Sequence, residues 1–231
     1  MLHPPQLIAN ARMLYLVWTP AEPDAAARLL PDELTAAESC PVFLNQYVVD
    51  DAAQTSNAAE PDDFGAYSLT YLGVDLAGLD TEAGVPGRWW THYFNSSENM
   101  IRYATAQGVP ASAGTTTLEL DGGRLVATSL VDGQPVIRTT ARVEIGSPQR
   151  ATGQLRYITR SSPELVSGRY PFVADLAQTF EVESVEFLDT HHPVSALRPA
   201  EPLDVTFGFY SPSITFCYPG GQGPLGSEHG S

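Results

Sequence analysis

Alternating apolar and polar residues recur in short runs along this chain, and helical periodicity is rare. Over residues 41–50, Val42, Leu44, Gln46 and Val48 share one face and Phe43, Asn45, Tyr47 and Val49 the other, so both faces of this strand carry bulk. Residues 12–19 form a strand too apolar to leave one face in water. Further strands are predicted over 64–76 and 87–94, the latter carrying Trp89, Trp90, His92, Tyr93 and Phe94. Gly122-Gly123 and Asp132-Gly133 have the composition of hairpin turns and join strands at 114–121, 124–131 and 135–145. Strands at 154–159, 177–189 and 204–217 complete the set, with 161–171 read as a loop on its turn residues.

Two helices interrupt this pattern. Residues 24–30 are acidic at the start and carry Arg28 near the end, as the helix dipole favours, and Pro31 closes the segment. The second begins with Ser96 or Ser97 as N-cap and Glu98 in its first turn. Met100, Ile101 and Ala104 supply its apolar face, and Gly108 and Pro110 stop it. Many strands with few helices predict a mainly β fold, an antiparallel β-barrel closed or partly closed, because closure removes exposed sheet edges. No repeat or linker divides the chain, so residues 1–219 read as one domain and the Gly-rich 220–231 as a disordered tail. The acidic loop at 51–63 is a candidate lid.

Composition narrows the chemistry. All 12 basic residues among 231 are arginine, as in proteins from GC-rich genomes. Without lysine there is no internal imine, no pyridoxal-phosphate anchor and no phosphate-loop lysine. The net charge of −15 argues against nucleic acid and against an anionic membrane surface. No run approaches the roughly 20 apolar residues of a membrane span, and the start of the sequence lacks the features of a signal peptide, so a cytoplasmic protein is expected. Cys40 and Cys217 read as free thiols. His191 and His192, adjacent on a strand, would point to opposite faces and have no third ligand, so no metal and no other cofactor is expected.

The helix followed by Gly108-Val109-Pro110 and a strand resembles the central segment of the acetoacetate decarboxylase family. So do Pro23-Asp24-Ala25-Ala26-Ala27-Arg28-Leu29-Leu30-Pro31-Asp32-Glu33-Leu34, Phe64-Gly65-Ala66-Tyr67, Arg124-Leu125-Val126-Ala127-Thr128, and the stretch from His191-His192-Pro193-Val194 to Pro202-Leu203-Asp204-Val205. In that family a lysine pair follows Gly/Ala-x-Pro, and its first lysine forms the Schiff base. Ala111 and Ser112 stand there in this chain. The resemblance also implies a site arginine on the first strand, matched by Arg12, and two glutamates, near which Asn45 and Leu69 fall. The scaffold is thus expected with the nucleophile and both carboxylates replaced.

The candidate catalytic residues are Arg12, His92 and Tyr67. A guanidinium inside an apolar strand needs an anion or carbonyl, although a surface arginine at a strand start reads the same way. His92 is a general base or a hydrogen-bonded core histidine. Asn45, Tyr47, Trp90, Ala111 and Ser112 are the expected substrate-binding residues. Together these suggest a cofactor-independent cyclase acting on an apolar, polyketide-like secondary metabolite held inside the barrel, and a homodimer. The alternatives are a lysine-independent decarboxylase or aldolase-type enzyme on a keto acid, and a carrier that performs no chemistry.

Overall fold

The computed structural model describes residues 6–56, 63–81, 83–161, 163–218 and 220–225. Its strands are β1 (Gln6–Trp18), β2 (Val42–Val49), β3 (Thr55–Ser56), β4 (Tyr67–Leu76), β5 (Gly87–Asn95), β6 (Ala111–Ala113) and β7 (Thr115–Asp121). They continue with β8 (Arg124–Val131), β9 (Gln134–Glu144), β10 (Gln149–Ser161), β11 (Glu164–Leu176), β12 (Thr179–Phe187), β13 (Val205–Tyr218) and β14 (Gly220–Pro224). Helices α1 (Pro23–Ala27) and α2 (Glu98–Ala106) are short. A barrel runs β10-β11-β13-β1-β2-β4-β5 through antiparallel pairs, and a parallel contact between β5 and β10 closes it. Strands β12-β9-β8-β7 form a second antiparallel sheet. The expected closed, mainly antiparallel barrel is therefore the fold.

Both faces of β1, β2 and β4 are buried because each faces a different core. Met13, Tyr15, Val17, Phe43, Tyr47 and Tyr71 point into the barrel. Leu14, Leu16, Trp18, Leu44 and Leu72 point outward onto Leu125, Ala127, Ile137 and Ala141 of the second sheet. A polar seam fixes one sheet against the other: Gln46 Nε2 donates to Ser129 Oγ at 2.7 Å, and Ser129 Oγ lies 2.5 Å from Thr70 Oγ1. Ser97 caps α2 by accepting from the Met100 amide. Met100, Tyr103 and Ala104 join the barrel interior, whereas Ile101 is only half-buried.

One local device decides which β5 side chains face inward. The β4–β5 pairing shifts between Leu72↔His92 and Gly73↔Trp90, so Thr91 is the extra residue of a β-bulge. A Cβ on Gly73 would stand 1.8 Å from the Trp89 carbonyl oxygen, and only glycine leaves room for the bulged strand. Trp90 and Tyr93 consequently both belong to the interior core, and His92 does not.

Two sequence expectations are corrected. Residues 161–171 are not a loop: most of them belong to β11, paired with β10 from Gln149↔Leu176 to Ser161↔Glu164. The apparent turn residue Gly168 is a packing residue, since a Cβ there would meet the Tyr157 hydroxyl oxygen at 2.2 Å. The tail is not wholly disordered, because Gly220–Pro224 pairs with β11; residues 226–231 lie outside the described residues. In the expected lid, Ala52–Gln54 form a 3-10 turn capped by Asp51 and Thr55–Ser56 pair with β1, and residues 57–62 lie outside the described residues.

Candidate active site

Register brings two charged residues together inside the barrel. Asp75 near the end of β4 lies opposite Arg88 near the start of β5. Arg88 Nε donates to Asp75 Oδ1 at 3.1 Å, and the side chains are only 7% and 6% exposed. The guanidinium carbon lies 5.1 Å from the centre of the Tyr15 ring and 5.4 Å from that of Phe43. Contacts of this kind suit a weakly hydrated cation in a dry site. Arg88 Nη1 and the Tyr15 hydroxyl are buried with no hydrogen-bond partner among the described residues.

Burial raises the Asp75 carboxyl above the usual carboxylate range, against the pull of Arg88. Burial by itself would lower the Arg88 guanidinium, but Tyr15 and Asp75 outweigh it and hold Arg88 above its ordinary value. Within the pair, burial thus works against the charge on Asp75, while Arg88 keeps its own.

Beside this pair lies a cavity of about 390 Å³. Its walls are mostly apolar and aromatic, among them Tyr15, Leu155, Tyr170, Phe172 and Phe209, with Asn45, Asp75 and Arg88 as polar points. Tyr15 stacks on Phe209 with ring centres 5.6 Å apart. Phe207, 55% exposed, belongs to the same wall.

Of the eight residues expected at the site, Asn45 alone lines this cavity. Arg12 lies outside the barrel: its Nε and Nη2 donate to Asp50 at 2.7 and 2.6 Å, and Nη1 donates to the Leu118 carbonyl of β7 at 2.6 Å. It ties the barrel to the second sheet, away from the cavity. His92 is on the outer wall, turned there by the bulge, and lines a separate depression with Trp89, Pro110 and Arg160. Thr91 Oγ1 donates to the Leu72 carbonyl, so it accepts from His92 Nδ1 at 3.0 Å and leaves Nε2 unprotonated. Burial and the nearby His192 lower the His92 imidazole to about 4. His192 itself caps the 3-10 turn Pro193–Leu197 by accepting from the Val194 amide.

The remaining expected residues lie away from the cavity. Tyr47 and Tyr67 share a hydrogen bond of 2.9 Å in the interior, and burial raises both phenols, so neither ionises near neutrality. Trp90 is core, stacked on Tyr157 at 4.9 Å. Ala111 packs against the interior core, and Ser112 is exposed. Ala111 pairs with Tyr93, whose ring stacks on Tyr71. Aromatic rings thus occupy the interior next to the position that the resemblance assigns to the imine lysine.

Asp75 and Arg88 did carry a signal in the sequence. Each is a charged residue inside a strand with buried neighbours, and the hairpin between 76 and 87 sets them opposite. Tyr15, Tyr170 and Phe172 carried none that distinguishes a cavity wall from core. Among the described residues no group of three His, Cys, Asp or Glu is placed to hold a metal ion, and no helix is long and apolar enough to cross a membrane.

No protein-family model and no curated protein matches the sequence. Solved structures do. An acetoacetate decarboxylase superposes with a TM-score of 0.74 at 16% identity, over 97% of this chain and 90% of that one. The enduracididine biosynthesis enzyme MppR, complexed with the condensation product of pyruvate and imidazole 4-carboxaldehyde, gives 0.64 at 15% identity, over 97% and 90%. An acetoacetate decarboxylase-like enzyme from Sphingomonas wittichii RW1 gives 0.62 at 16%, over 97% and 94%. The chain has the acetoacetate decarboxylase-like fold, and at these identities the likeness establishes the fold alone.

Proposed function

We propose that the chain is a cofactor-independent cyclase or related isomerase, which folds an apolar, carbonyl-bearing substrate of polyketide type in the cavity beside Arg88. The observation that carries this reading is a buried guanidinium on the wall of an otherwise aromatic and aliphatic cavity, with no partner for its Nη1 among the described residues. Such chemistry needs no nucleophile. It needs a shape that brings two parts of one chain together, and orientation alone contributes on the order of 7–11 kcal/mol in favourable cases. It also needs a donor aimed at an oxygen that gains charge, worth roughly 2.7–4 kcal/mol where water is excluded. The cavity supplies the first through its rings and the second through Arg88. Its volume of about 390 Å³ lies within the range typical of small-molecule sites.

Arg88 takes the part that the sequence assigned to Arg12. The test is product formation from a linear 3-oxo precursor, compared with the same compound in buffer. Arg88→Gln keeps a donor and loses the charge, so its rate should fall by about 10²–10³. Leu155→Trp should block binding by filling the cavity, with the fold preserved by circular dichroism. Binding without turnover in the wild-type protein would make the chain a carrier; unchanged turnover in both variants would remove the site from this cavity.

A further inference from the structure

We infer that Asp75 is the base that removes a proton from the carbon next to a substrate carbonyl held on the Arg88 guanidinium, which makes the substrate a neutral carbonyl compound with an acidic C–H bond and an apolar remainder. This rests on the reading of the cavity given above and specifies what the cavity does.

The two residues face the same cavity with their reactive atoms uncommitted. Asp75 uses Oδ1 to accept from Arg88 Nε, and among the described residues Oδ2 accepts no hydrogen bond. Arg88 commits Nε to that contact, and its Nη1 has no hydrogen-bond partner among the described residues, so a carbonyl oxygen brought to that end of the fork would meet an unused donor. A base and an electrophile therefore stand side by side, as proton abstraction next to a carbonyl requires.

Charge makes the arrangement suitable for a dry site. Before the step, the negative charge sits on Asp75 beside the guanidinium. In the step the C–H bond breaks and an O–H bond forms on Asp75, while the C–H electron pair moves into the new carbon–carbon double bond and the carbonyl oxygen becomes an enolate oxygen. The negative charge has then moved to that oxygen, still beside the same guanidinium, so no charge is created or left unpaired. A second carbonyl in the folded chain can accept the enolate carbon. A carbon–carbon bond forms, the carbonyl π pair passes to its oxygen, and that oxygen takes the proton back from Asp75. Nothing is oxidised or reduced, and the product is an isomer of the substrate.

The groups facing Asp75 are consistent with this role. Tyr15 on β1 is a neutral phenol, held so by burial; Arg88 on β5 is the cation; Cys40, before β2, is a thiol pushed up to about 11 by burial; and Asp80 follows β4. Neither the Tyr15 phenol nor the Cys40 thiol competes as a base, and no hydrogen bond joins Asp80 to Arg88 among the described residues. A substrate carrying a preformed carboxylate at Arg88 would instead meet the Asp75 charge across the same cavity, which favours a neutral substrate over a keto acid.

The test uses ethyl 3-oxodecanoate in D2O, with deuterium uptake at C2 followed by NMR and binding followed by saturation transfer. The wild-type protein should bind the ester and accelerate uptake over buffer, and uptake should fall as the pH is lowered and Asp75 becomes protonated. Asp75→Asn should lose roughly 10²–10⁴ of the acceleration. Because that variant leaves Arg88 unpaired, Asp75→Asn/Arg88→Gln provides a neutral pair that should bind the ester and exchange it no faster than buffer does. Binding by the wild type without acceleration, or acceleration retained in Asp75→Asn, would overturn the assignment of Asp75 and leave the cavity reading standing. Failure of the wild type to bind the ester would overturn both.

Discussion

Tyr71 and Tyr93 stack inside the barrel with ring centres 6.1 Å apart and planes 6° from parallel, and Tyr93 is the strand partner of Ala111. This stack lies next to the position where the resemblance puts an imine-forming lysine. A long side chain at position 111 would have to displace packed rings, at a cost of about 1–3 kcal/mol. Ala111→Lys is therefore expected to lower stability and to gain no adduct at position 111 when acetoacetate and borohydride are added, as read by peptide mass. A stoichiometric adduct there would show that the interior can hold an imine-forming lysine after one substitution.

Arg12 and Arg88 should behave oppositely. Arg12 and Asp50 are 30% and 47% exposed, and a pair of that exposure contributes about 0–1 kcal/mol. Arg88→Met leaves the Asp75 carboxylate buried without its partner, which costs about 3–5 kcal/mol. Denaturant unfolding should separate them clearly, and Arg12→Met should keep the wild-type rate with any substrate the cavity accepts.

The barrel was legible because its strands alternate and its hairpins carry strong turn residues. The faces of β5 are not legible, because simple alternation puts Trp90 and His92 together and the Thr91 bulge separates them. A bulge leaves little trace in one sequence; Gly73 on the neighbouring strand was its only mark. β11 was missed because Ser167, Gly168 and Pro171 look like turn residues, whereas Gly168 makes room for the Tyr157 ring. A charge within an apolar strand signals either a site or an anchor between layers, and Arg12 is bonded as an anchor, to Asp50 and the Leu118 carbonyl. Position along β1 decides it: Arg12 shares the outward face with Leu14 and Leu16.

Gly73→Ala tests the bulge. Its Cβ would overlap the Trp89 carbonyl, and the clash is with backbone, so a loss of about 3 kcal/mol or more is expected. Trp90→Ala should cost a similar 3–5 kcal/mol, because Trp90 is packed core and not cavity wall. Ester affinity in folded Trp90→Ala should stay close to wild type. A large loss of affinity with little loss of stability would return Trp90 to the site.

His92 and Asp75 pull the pH dependence of stability in opposite directions. The imidazole is lowered from 6.5 to about 4, so the folded protein binds fewer protons than the unfolded chain between those values. Stability from His92 is present above pH 6.5 and is lost as pH falls toward 4, by up to roughly 3 kcal/mol. Asp75 is raised, so its contribution favours the folded state at low pH and is lost as pH rises through its folded value. Against the wild type, His92→Gln should be less sensitive to acid between pH 6.5 and 4, and Asp75→Asn more so. Unfolding curves at several pH values, with the His92 resonances followed by NMR, check both signs.

The central claim is that ligands bind beside Arg88 and not beside Ala111. A ketone carrying an alkyl diazirine, photolysed in complex with the protein and mapped by peptide mass, reads the location directly. Labelling should fall on the strands that wall the cavity, at Tyr15, Leu155, Phe172 or Phe209, and should be suppressed by Leu155→Trp. Labelling concentrated at Tyr67, Tyr103 or Ala111, insensitive to Leu155→Trp, would contradict the account.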